Sequence, residues 1–216
     1  MTSSASKSPE EVPELPVETR TPPPSRDLAA NLRGFGPLGI VAILVIVLTG
    51  NVFVTNVMVP IGAVLVLAWV RLSRTPWREI GYLRPKSWTG TVAAGLAFGI
   101  AFKFLMKAFV MPFLGADPIN QAYHYLAGNR AMLPAAVWAM FVAAFAEETV
   151  YRGYLFERLG KLLGPSGVAK TSTVLLTSVW FGLGHYVVQG LAGTEQATIV
   201  GLVFGRSSQS QAGSGC

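Results

Sequence analysis

Two short stretches put groups capable of acid–base chemistry into apolar surroundings. EETVYR (147–152) follows AMLPAAVWAMFVAAFA, a run without one charge, and FGLGH (181–185) lies in a second apolar run. An ionisable group inside an apolar helix is costly, and is usually paired or functional. Glu148 and Arg152 are four residues apart with the acid on the N-terminal side, the favoured order for a helical ion pair. Glu147 is turned about 100° from Glu148 around the helix, so it faces something else. The division is simple: Glu148 and Arg152 neutralise each other, and Glu147 is left to act as a general base or acid. His185 and Phe181, also four apart, share a face. A histidine so placed can serve as a metal ligand, a proton carrier or an oxyanion donor.

The elements that must position these groups follow from composition. The chain has 216 residues, 51% hydrophobic and 13% charged, with mean hydropathy +0.48. Soluble domains carry about a quarter charged residues, so the deficit points to the membrane. The net charge of +6 does not indicate nucleic acid, because the basic residues fall between apolar segments, as the positive-inside rule expects. One cysteine, Cys216, excludes a disulfide framework within one chain.

Residues 1–33, rich in Pro, Ser and Glu, are expected to be a disordered tail. From Gly34 to Val70 there is no Asp, Glu, Lys or Arg, long enough for a hairpin of two spans broken near 50–56. The basic loop 71–88 follows, with Trp77, Tyr82 and Trp88 as expected interfacial anchors. A third span runs from about Thr91 to Phe113. It carries Lys103 and Lys107 on one face; Lys107 can snorkel outward, and Lys103 lies deeper. The fourth starts near Met132 and contains EETVYR. The fifth covers about 171–188, and QATIVGLVFG begins a sixth. Residues 206–216, small and polar, read as a disordered tail. The expected fold class is all-α: a polytopic transmembrane bundle of five complete spans and a partial sixth, over residues 34–205.

Loops 71–88 and 152–170 are basic and loop 115–130 is neutral, which places the N-terminus and both basic loops inside. Glu147 lies about 13 residues from the inner end of its helix and His185 about 15. At about 1.5 Å per residue both are near 20 Å deep and can face each other. The partner expected throughout is the lipid bilayer. The single cysteine and the absence of a signal peptide suggest an integral, multi-pass protein of a bacterial inner membrane.

EETVYR resembles the EExxxR motif, and FGLGH the FxxxH motif, of the CAAX-protease and bacteriocin-processing (CPBP) family of intramembrane endopeptidases. GLVFG (201–205) is similar to that family's glycine motif, and WREIGYLRPKSW to the segment before its core. The resemblance implies hydrolysis of a peptide or protein substrate by water that Glu147 activates. Glu148, Arg152 and Phe181 would support the geometry. His185 would either help bind a divalent metal such as zinc, with Glu147, or stabilise the oxyanion directly. One departure stands out. The family's later HxxxN or HxxxD motif has no counterpart after His185, and His124 reads as a loop histidine. The expectation is therefore a truncated or frameshifted copy, inactive as written for want of that motif. The alternative is a non-catalytic immunity or scaffold protein on the same fold. No inverted repeat supports a transporter.

Overall fold

The computed structural model describes residues 28–53, 57–116 and 121–213. Among them are helices and turns and no strand. Helix α1 is Leu28–Gly34, α2 Gly36–Phe53 and α3 Met58–Leu72. Helix α4 is Trp88–Phe113, α5 Arg130–Leu163, and α6 Gly167–Gly213. Short tight turns, Trp77–Ile80 and Gln121–Leu126, lie in the connections before α4 and α5.

Local chemistry sets several boundaries. Ser87 caps α4, its hydroxyl accepting from the Gly90 N–H at 3.1 Å, one of the donors a helix start leaves open. Pro134 sits in the first turn of the regular part of α5, where a missing N–H removes nothing. Gly164, at φ +89°, ends that helix, in a region few other residues enter. Gly190 (φ 63°, ψ −160°) is the one non-helical residue inside α6, and it divides α6 into two halves.

Three helices are long and apolar enough to cross a membrane: α4 with 26 residues, α5 with 34, and 40 residues of α6 from Gly167 to Arg206. A fourth is counted if α1 and the start of α2, bent by 72°, form one broken span. The shortfall from five has two physical sources. Helix α3 has 15 residues, fewer than the roughly 20 that a span needs. Helix α2 counts only together with α1, across their bend; the expected fifth span is present, joined through Gly190 to the partial sixth in one bent helix.

Two expected tails are only partly described. Residues 1–27 and 214–216 lie outside the described residues, as do 54–56 in the expected hairpin break. The stretch 28–33, assigned by composition to the disordered tail, is helical in α1. It is tied down by Ala29, which is buried, and by Trp69, whose indole N–H donates to the Leu32 carbonyl at 3.1 Å. Arg33 donates to the Ser73 and Arg74 carbonyls, each at 2.7 Å, and so satisfies the open C-terminal end of α3. At the other end, α6 continues past residue 205 to Gly213.

The core sits where α2, α3, α5 and α6 meet. Ile40, Val47, Val66, Val70, Val150, Leu155 and Phe181 are its buried members. Helix α4 touches this body through aromatic edges, Phe98 and Phe102 against Phe204 at 5.5 and 6.4 Å. Its remaining face, with Leu96, Ile100 and Phe104, is exposed, as expected of a lipid-facing helix. At the end of the bundle that carries the basic loops, Arg158 is buried against the Trp69 ring at 4.3 Å. It pairs with Glu157 and donates to the Arg33 carbonyl at 2.7 Å. Lys161 joins Glu157 to Glu79 at 2.5 and 2.8 Å. This charged lattice closes the end of the bundle that carries the basic loops.

Candidate active site

The two motifs meet. His185 Nε2 lies 3.8 Å from Glu147 Oε1, although α5 and α6 run in opposite directions and the residues are far apart in sequence. The two positions, counted from the helix ends, therefore lie level with each other. The side chains are about a quarter exposed, Glu147 25% and His185 22%, and they open into a cavity rather than into the core. That cavity, about 300 Å³, is walled by Pro60 of α3, by Ala136, Ala139, Met140 and Ala143 of α5, and by Tyr123, Tyr125 and Tyr151. The small residues at 136, 139 and 143 fall three and four apart, a stripe that clears space above Glu147.

Glu148 and Arg152 form the expected ion pair at 2.9 Å. The backbone there departs from a plain α-helix: Glu148–Leu155 is π-helical. Such wide turns are uncommon in helices and concentrate at functional sites. The insertion turns Thr149, Val150, Tyr151, Tyr154 and Leu155 into the protein. Tyr151 then meets the Phe181 ring edge-on at 5.1 Å, and Phe181 meets the His185 ring at 4.7 Å. The Arg152 guanidinium lies 4.6 Å over the other side of Phe181. Phe181 thus touches both the arginine of the ion pair and the histidine.

His185 is held by its own helix. Its Nδ1 is 2.9 Å from the Phe181 carbonyl, and a carbonyl can only accept, so Nδ1 carries the proton. In the neutral ring Nε2 then presents a lone pair toward Glu147. The expectation that His185 donates directly to an oxyanion therefore requires a doubly protonated ring.

Tyr82, expected as an interfacial anchor, is instead an internal strut. Its hydroxyl lies 2.7 Å from Thr149 Oγ1. Thr149 gives its own hydrogen to the Phe145 carbonyl, so Tyr82 is the donor. The ring also packs against Phe145 at 6.0 Å. The loop before α4 is in this way fastened to the first turn of the π-helical stretch.

The glycine motif packs the two halves of α6 together. A side chain at Gly201 would meet the Ser178 backbone at 2.9 Å, and one at Gly205 would meet Val174 at 3.1 Å. Small residues allow this close approach of helices. Gly182, between Phe181 and His185, is more crowded still: a side chain there would collide with the Thr198 hydroxyl and meet the Thr194 carbonyl at 2.8 Å.

Sequence reasoning missed three wall residues. Gln189 lies one turn beyond His185 on the same face, a spacing that could have revealed it. Tyr123 and Tyr125 come from the turn Gln121–Leu126, where no periodicity marks them. Burial, with the Glu147 charge second, raises the Tyr123 phenol above its usual value, so its proton is retained at neutral pH. His124, beside it, is exposed and lines neither this cavity nor the one next to it.

Among the described residues no three of His, Cys, Asp and Glu gather as a metal site. Glu147 and the Nε2 lone pair of His185 are two suitable donors, one fewer than the three protein ligands of a catalytic zinc.

Residues 129–211, the whole of α5 and nearly all of α6, match the family model described as type II CAAX prenyl endopeptidase Rce1-like. No curated protein and no solved structure matches the chain. The family match and the motif resemblance fall on the same helices and agree: residues 129–211 are similar to the Rce1-like family, consistent with the CPBP/CAAX-protease resemblance.

Proposed function

We propose that the protein is an intramembrane endopeptidase in which Glu147 activates water. The observation that carries this reading is the Glu147–His185 pair facing a cavity across 3.8 Å. That gap is too long for a direct hydrogen bond, and a water in the cavity beside the pair could bond to both groups. The water would give one hydrogen to the His185 lone pair and the other to Glu147. As the oxygen attacks a peptide carbonyl, Glu147 takes its proton, and it returns that proton to the departing amine as the C–N bond breaks. The developing oxyanion needs a donor. Tyr123, protonated and on the cavity wall, supplies it. Glu148, Arg152 and Phe181 act as positioning residues. A zinc ion at this pair would need a third protein ligand besides Glu147 and His185.

The protein is proposed to sit in a bacterial inner membrane as a multi-pass bundle. The expected spans would be α2, the short α3, α4, α5 and the first half of α6, with the second half of α6 as the partial sixth. The alternative reading, a non-catalytic membrane partner on the same scaffold, is favoured by one observation. Among the described residues, His185 is the only histidine at the site. The two readings separate on purified protein in detergent or liposomes, offered prenylated and unprenylated peptides. The endopeptidase reading predicts two fragments with a new amino terminus. No cleavage of any peptide would favour the partner reading.

A further inference from the structure

A second, smaller cavity of about 180 Å³ adjoins the first and shares Tyr123, His185 and Gln189 with it. Its wall also carries Lys103. Lys103 belongs to α4, an apolar span, and sits beside Phe102, whose ring docks α4 on α6. Among the described residues no carboxylate pairs with Lys103. The other named wall residues are neutral, including Gln196, Gly193 and Val200. An unpaired cation at membrane depth is expensive and asks for an anion. The neighbouring acid, Glu147, lines the other cavity and not this one.

We infer that the Lys103 cavity is a subsite for a carboxylate of the substrate, on one side of the scissile bond. This rests on the endopeptidase reading. A peptide bond held at His185 has the Glu147 cavity on one side and the Lys103 cavity on the other. At about 180 Å³ the second cavity is below the size of pockets that enclose whole drug-sized ligands, so it takes one end group or side chain. The ammonium is a compact point charge with three donors, suited to a carboxylate. Two sources share this chemistry: the free C-terminus of a short peptide and an acidic side chain close to the cleaved bond.

The test is a binding measurement on the full-length Glu147→Gln protein in detergent, where cleavage does not intrude. Two pairs of apolar, fluorescently labelled hexapeptides are compared. One pair ends in a free carboxylate or a carboxamide. The other is amidated and carries an internal glutamate or glutamine. The anionic member of at least one pair should bind about tenfold or more tightly. The preference should fall to near unity when Lys103→Met is added and return with Lys103→Arg. Whichever pair responds identifies the source. Equal binding within both pairs, no binding of any peptide at millimolar concentration, or a preference that survives Lys103→Met would overturn the subsite. A wild-type protein that cleaves nothing would reject the endopeptidase reading while the binding ratio still judges the subsite.

Discussion

Glu147 and Glu148 are neighbours in different settings, and the difference rests on one ion pair. Arg152 takes Glu148 at 2.9 Å and leaves Glu147 to the cavity. The spacing E-x-x-x-R, read as a helix, was enough to foresee that. The protonation of His185 was not legible, because it depends on a backbone carbonyl that only the folded helix presents. Tyr123 was not legible either, since it reaches the cavity from a turn without a periodic pattern. Its role is tested by Tyr123→Phe, which removes one hydroxyl and keeps the ring. We expect kcat to fall about 10²- to 10³-fold, the usual loss for one oxyanion donor, with little change in KM. A rise in KM at constant kcat would instead make Tyr123 a substrate-binding residue.

At the scale of elements, the site depends on how two helices are shaped. The π-helical stretch Glu148–Leu155 widens α5 and aims Tyr151 at Phe181. Nothing in hydrophobic periodicity announces such a turn, because the pattern of apolar residues fits an α-helix almost as well. The fold of α6 was more legible: Gly201 and Gly205, four apart, mark one small face, and that face meets Ser178 and Val174. Gly201→Leu would force the two halves of α6 apart and move His185. Overpacking of this kind costs about 1–3 kcal/mol, so the melting temperature should drop and cleavage should be lost together. Gly201→Ala, a smaller intrusion, should lie between. Unchanged stability in Gly201→Leu would mean that the halves of α6 do not pack as described.

The whole molecule is arranged as a membrane protein with a charged lattice at one end. Membrane residence and the distribution of basic loops were legible from composition, because hydrocarbon tolerates so few charges. The number of spans was not, since α3 is short and α6 bends at Gly190. The orientation follows from loop charge and can be measured with single cysteines in a Cys216→Ser background. Gly128→Cys should react with an impermeant maleimide from outside the cell, and Lys86→Cys only after the membrane is opened. The reverse pattern would invert the topology.

The central claim, that Glu147 drives peptide hydrolysis inside the membrane, is tested most directly by the single-turnover cleavage rate of wild type beside Glu147→Gln. The substitution keeps the side-chain shape and removes the base. With a peptide the wild type cuts, the account predicts that Glu147→Gln folds and melts as wild type does and leaves no detectable cleavage. Glu147→Gln protein that cleaves at the wild-type rate would contradict it.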